Sequence, residues 1–192
     1  MTFYTKDAIG DLDQGDILTS LPMRAYLPWF EDIKLPLVVV TPTCDLAQEK
    51  TDFHRLCVLH PLPHLLYQIG KGLELVESNW KGTEPLSKTK WAKIQQKLTS
   101  AIKNAWPRYH FLPSETGIFE TDYIIDFEIF ATVPLNDLRG EDRYARINAP
   151  FKQEIIQRLA SYMMRIGTPD LAASVVTGTI DRCIKNTGLR SA

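Results

Sequence analysis

The sequence predicts an α+β fold: a small, strongly bent antiparallel sheet or barrel, interrupted by a helical insertion at about residues 61–107 and followed by C-terminal helices. Three observations lead there. Short β-branched and aromatic runs bounded by Pro, Gly and Asp open the chain. A stripe of three- and four-residue spacing takes over at residues 87–105, and a second passage from β to α texture closes the chain. With 192 residues, 44% of them hydrophobic, there is enough material for one full core. The expected organisation is one barrel-like domain over 1–169 and a helical or frayed tail over 170–192.

Each element has a local reason. Gly15-Asp16 is a turn signal before a strand at 17–21, and a second candidate strand covers 24–30 after Pro22. The continuous Leu/Val run of 35–41, flanked by Pro36 and Pro42, reads as a strand buried on both faces. Pro42 lacks a ladder donor and ends it. Residues 53–60 form the next strand, paired antiparallel to it across the polar loop 47–52. Trp91, Ile94, Leu98, Ile102 and Ala105 then form the stripe of an amphipathic helix, capped by Ser87 and stopped by Pro107. Strands are expected at 108–112 and 123–133, the latter with Ile125, Phe127, Ile129 and Ala131 alternating against Asp126, Glu128 and Phe130. A short strand at 143–148 leads to a helix with Asn148 as N-cap, Pro150 in its first turn and an apolar stripe of Phe151, Ile155, Leu159, Tyr162 and Ile166, ending at Gly167.

Composition excludes several classes. The net charge of -1 gives no global pull toward nucleic acid or an anionic membrane. The longest apolar run is far too short to cross a bilayer, and the acidic start lacks the pattern of a secretion signal, so a cytoplasmic protein without membrane contact is expected. Cys44, Cys57 and Cys183 make an odd count in a chain that needs no staples, so reduced thiols are expected. No phosphate-binding glycine loop, Gly-x-Ser-x-Gly elbow or His-Glu-x-x-His is present, and no cofactor is implied.

Two resemblances add to this reading. Gly15-Asp16-Ile17, then Pro36-Leu37-Val38-Val39-Val40, then Val58-Leu59-His60-Pro61-Leu62 resemble the opening of the PemK and MazF family. That resemblance implies an SH3-like barrel and, in the toxins of the family, RNA cleavage without a metal. Lys34 and Leu35 stand before Pro36 where the family tends to carry an arginine, and the long insertion is not a toxin feature. Thr43-Cys44-Asp45-Leu46, Phe111-Leu112-Pro113, Ala145-Arg146-Ile147 with Pro150-Phe151, and residues 165–169 are similar to a loose group of uncharacterised bacterial proteins, which implies no mechanism.

Four sets of residues could carry chemistry. His54, Cys57, His60 and His64 fall close together, but a strand at 53–60 sends His54 and His60 to one face and Cys57 to the other, so no metal site is expected. Cys44 sits where loops build sites; a nucleophilic role needs a base and a lowered pKa, and Asp45 beside it works the other way. The plainer reading packs Cys44 inward and lets Asp45 shape the exit loop. Arg143, Arg146, Arg158 and Arg165 flank the last strand and helix, for salt bridges or for anions. The strongest functional signal lies in residues 88–108, where Lys88, Lys90, Lys93, Lys97, Lys103 and Arg108 occur without one acidic residue, accompanied by Trp91 and Trp106. Such a face suits an acidic partner, nucleic acid or protein; the plainer alternative is a solvated helix face with Trp91 in the core. The leading expectation is a non-enzymatic binding or accessory module. The alternatives are a metal-independent endoribonuclease of the PemK/MazF type, using His54, His60 or Arg55, and a cysteine-dependent hydrolase.

Overall fold

The computed structural model describes residues 2–6, 10–19, 21, 35–48, 50–73, 86–138 and 143–164. The chain divides into two units, Met1–Tyr162 and Met163–Ala192. The candidate strand at 24–30, Arg165, Ile166, the helix stop at Gly167, Cys183 and the tail at 170–192 lie outside the described residues.

Seven strands form one antiparallel sheet, curled into a half-barrel. They are β1 (Tyr4–Lys6), β2 (Asp16–Leu18), β3 (Leu37–Val39), β4 (Phe53–Pro61), β5 (Tyr109–Leu112), β6 (Tyr123–Pro134) and β7 (Arg143–Ile147), in the order β1-β7-β2-β3-β4-β6-β5. Five helices accompany them among the described residues: α1 (Thr43–Ala47), α2 (Leu62–Gly72), α3 (Lys88–Ile102), α4 (Leu135–Leu138) and α5 (Phe151–Met164). The fold is α+β, as the sequence predicts.

The expected pairing of the two central strands holds, with Val38 opposite Cys57 and Val39 opposite Leu56. Their side chains separate by strand periodicity. Val38, Cys57, Leu59, Ile125 and Phe127 face the cluster covered by Ile155 of α5, while Val39, Leu56, Val58, Ala131 and Val133 face a second cluster with Leu46 and Leu138. Farther along, Ile124 and Tyr109 pack under α2 and α3 with Leu65, Ile69 and Ile94.

The clean alternation expected in β6 is broken. Cys57 lies opposite Phe130 but Val58 lies opposite Asp126, so β6 spends three extra residues, 127–129, against a single step of β4. A bulge of this kind bends the strand and increases its twist. Asp126 flanks it, fully buried, and its Oδ1 accepts the Glu128 N–H at 3.0 Å.

The ends of the curl are tied together. β1 is one edge of the sheet and β5 the other, yet the Tyr4 hydroxyl donates to the Pro113 carbonyl (2.9 Å) and the Phe3 N–H to Glu115 Oε2 (2.8 Å), just beyond β5. The Tyr144 hydroxyl of β7 donates to the Ile118 carbonyl. Phe119 fills the space between, edge-on to Tyr4 and tilted against Tyr123.

Gly15-Asp16 is a structural necessity. Gly15 has a φ of +89°, and a Cβ there would lie 3.3 Å from the Ile147 carbonyl oxygen. Asp16 is fully buried opposite Arg146, whose Nε and Nη2 reach its two carboxylate oxygens at 2.5 and 2.9 Å. Asp13, beside them, accepts from Lys152 (2.8 Å) and from the Thr43 hydroxyl (2.5 Å), so the β2 turn, α1 and the start of α5 share one polar network.

Three local expectations need correction. Cys44 is exposed, in the first turn of α1 and not packed inward, because Pro42 starts a helix where a loop is expected: its carbonyl accepts the Asp45 and Leu46 N–H groups. α3 does begin at Ser87, whose hydroxyl accepts the Lys90 N–H, but Asn104, at a φ of 55°, ends it before Pro107. Asn148 does not use its side chain as a cap; its carboxamide holds Thr2 and Thr5 of the neighbouring N-terminal strand.

Removing Arg146 leaves the Asp16 carboxylate without its bidentate partner. Arg146→Met is expected to cost about 3 kcal/mol, the scale for breaking one side of a buried pair, read as a lower midpoint in urea denaturation.

Candidate functional site

The basic helix stands out from the core as an exposed element. Of the fifteen residues of α3, only Ile94 and Ala101 are buried, and Lys88, Lys90, Lys93, Lys97 and Lys103 are all exposed. None of these five lysines pairs with a carboxylate among the described residues. Lys90, Lys93 and Lys97 share one flank by their i, i+3, i+7 spacing. Trp91 does not enter the core, with 43% of its surface exposed. The apolar stripe is therefore only partly used for packing.

At the C-terminal end of this flank lies a cavity of about 300 Å³ between α2, α3 and β5, walled by Ile69, Leu73, Trp106 and Tyr109, with Gln68 and Lys97 at its rim. The Trp106 and Tyr109 rings meet edge to face, with centroids 4.8 Å apart. Lys97 Nζ lies 5.2 Å above the Trp106 ring, a cation–π contact. Asn104 sets this corner by turning the chain after α3 and accepting the Phe111 N–H at 2.8 Å.

Arg108, also at the cavity, does not contribute a free positive charge. Its Nε and Nη2 bind the two oxygens of buried Asp126 at 2.8 and 2.6 Å, and its Nη1 binds Glu128. Burial disfavours the Arg108 charge, but the bond to Asp126 outweighs it and holds the guanidinium above its usual pKa. Burial, aided by the Asp126 charge, pushes the Tyr109 hydroxyl up to about 12. Asp126 and Tyr109 are the partners that the sequence reading misses. The available signal is the lone carboxylate in Ile124-Ile125-Asp126-Phe127, which has to be paired if that strand is buried.

The other candidates are placed apart. His54 and His60 share a face of β4 but stand six residues, or about 20 Å, apart along the strand, and Cys57 is buried on the opposite face. Among the described residues no group of three or more His, Cys, Asp and Glu side chains could hold a metal. His54 is fully buried, and burial lowers its pKa against the opposing pull of Asp45. His60 stacks on His64 with centroids 5.1 Å apart; burial brings it down to about 4 despite the Asp126 charge nearby. Arg55 is exposed. Cys44 Sγ contacts Asp45 Oδ1 at 3.5 Å, and no imidazole among the described residues bonds to it. Burial pushes the Cys57 thiol up to about 12. Arg143 and Arg146 serve Asp16, and Arg158 donates to the Tyr109 carbonyl.

No family model matches the chain, and no curated protein matches it. No helix among the described residues is long and apolar enough to cross a membrane.

Two outcomes follow from these placements. Cys44→Ala removes an exposed side chain and is expected to change stability by less than about 0.5 kcal/mol in urea denaturation. The buried histidines have the opposite consequence. Unfolded histidine titrates near 6.5, whereas burial holds His60 at about 4 and burial with the Arg158 charge holds His110 at about 3. The unfolded chain then binds more protons throughout that interval, so stability is complete above about pH 6.5 and falls as the pH drops toward 4. Urea midpoints measured across that range should decline, and His110→Leu should flatten part of the slope; a constant midpoint contradicts the assignment.

Proposed function

We propose that this protein is a non-enzymatic binding or accessory module, an SH3-like barrel with a helical insertion, which engages an acidic partner through the exposed face of α3. The observation that carries the reading is the row of five exposed lysines without a carboxylate partner among the described residues. A solvated structural helix normally mixes signs, because i, i+4 acid–base pairs stabilise it and like charges do not. α3 lacks that compensation entirely and carries the cost of its own repulsion. An acidic partner, nucleic acid or protein, removes that cost on binding.

The half-exposed Trp91 and the Trp106 cavity support the same reading, since they add apolar and aromatic contact to a charged face. The curled antiparallel sheet supports the barrel, with α2 and α3 inserted between β4 and β5. The face belongs to the insertion, so partner binding is a property added to the barrel.

Retention on an immobilised polyanion, eluted with a salt gradient, tests the proposal. The triple variant K90E/K93E/K97E should elute at markedly lower salt, with binding weakened at least about 10-fold. The slope of log affinity against log salt should flatten by about two, the share of three phosphate-type contacts. Unchanged elution of the triple variant removes the face from the function.

A further inference from the structure

We infer that the occupant of this face is an unpaired strand of nucleic acid, its phosphates on Lys90, Lys93 and Lys97 and one base turned into the Trp106 cavity. This rests on the binding reading above and adds the chemistry of the partner. Three features of the corner point to it.

The first is the division between charge and ring surface. The lysine flank runs along α3 and ends at Lys97, which lies at the rim of a cavity walled by two aromatic rings. A single strand presents the same division, a regular line of negative charge with flat faces projecting from it, and each stacked base contributes about 1–3 kcal/mol. A run of acidic side chains matches the lysines but carries no ring of its own. A duplex keeps its bases stacked inside and leaves the cavity empty.

The second feature is that the one guanidinium in the lining brings no unpaired charge to attract an anion. Arg108 faces both Asp126 and Glu128, so one positive charge meets two carboxylates there. A phosphate or carboxylate gains no ion pair from Arg108 there, whereas a neutral heterocycle needs none. At about 300 Å³ the cavity stands at the small end of ligand pockets, suited to a single ring system.

The third is the Lys97 contact with Trp106. Nζ covers a ring face at 5.2 Å, yet Lys97 is exposed, and a cation–π contact at such a site contributes only about 0.5–1 kcal/mol. A base can therefore displace the ammonium from the ring, and the released charge moves to the adjoining phosphate. Lys97 covers Trp106 in the free protein and binds the backbone in the complex.

Fluorescence anisotropy separates the possibilities, using a short labelled oligothymidylate, an abasic strand of equal length, the corresponding duplex, and polyglutamate of equal charge. The oligothymidylate should bind about 5- to 150-fold more tightly than the abasic strand, the range given by one stacked base. Trp106→Ala should reduce that ratio to about twofold, while Trp106→Phe, which keeps a ring in the packing, should retain most of it. Equal binding of the base-bearing and abasic strands overturns the inference, as does a duplex that binds as tightly as the single strand. Polyglutamate binding as well as the oligonucleotide also overturns it, while leaving the acidic-partner reading intact. If the wild-type protein binds none of these polyanions at low salt, both readings fall. Should Trp106→Ala fail to fold, the comparison of strands on the wild-type protein and on Trp106→Phe still decides the matter.

Discussion

The Arg108–Asp126 pair is the interaction on which the arrangement of the helical layer depends. A carboxylate at the centre of a buried strand is tolerable only with full pairing, and Asp126 obtains it from a bidentate guanidinium and a backbone N–H. Arg108 precedes β5 directly and follows α3 by a short turn. The position of the buried charge in β6 therefore fixes where the inserted helix returns to the sheet. Trp106 and Tyr109, on either side of that point, become the walls of the cavity as a result. The same carboxylate holds the three-residue bulge in shape, so sheet curvature and cavity geometry share one origin.

A second buried pair, Asp16 with Arg146, does comparable work at the opposite side of the sheet. It joins β2 to β7 in register, while neighbouring Asp13 reaches Thr43 of α1 and Lys152 of α5. Gly15-Asp16, Thr43-Cys44-Asp45 and Ala145-Arg146-Ile147, three stretches far apart in sequence, meet there. Asp13, Asp16, Arg146 and Lys152 are all paired at that corner, which sets it apart from α3, where the lysines have no carboxylate partner among the described residues. The two sides thus divide into an ion-pair network that ties strands together and a helix face whose charges are not offset by carboxylates among the described residues.

The parts legible in the sequence were those decided locally. The paired runs that became β3 and β4, the stripe of α3 and its Ser87 cap, and the apolar face of α5 each follow from neighbouring residues. β1 is too short to carry a pattern and exists only because Ile147, Arg146 and Ala145 lie opposite it. The bulge in β6 and the pairing of Asp126 with Arg108 are long-range facts of register that alternation cannot express. The exposure of Cys44 is not legible locally, because a proline that ends a strand also serves to begin a helix. At the candidate site, the lysines were visible as composition, whereas the cavity needed the turn at Asn104 and the approach of α2.

The segment after β5 bears on how this protein behaves in company. A half-open sheet ordinarily leaves two rows of backbone donors and acceptors ready to recruit a strand from another molecule, the route by which β proteins polymerise. Residues 113–119 follow β5 directly and are held to the far end of the sheet, by Phe3 and Tyr4 at β1 and by Tyr144 of the adjoining β7. A stretch with almost no regular structure thus fastens one margin of the sheet to the other. The sheet can remain incompletely closed, and carry a bulky insertion, while this clasp keeps its two margins in a fixed relation.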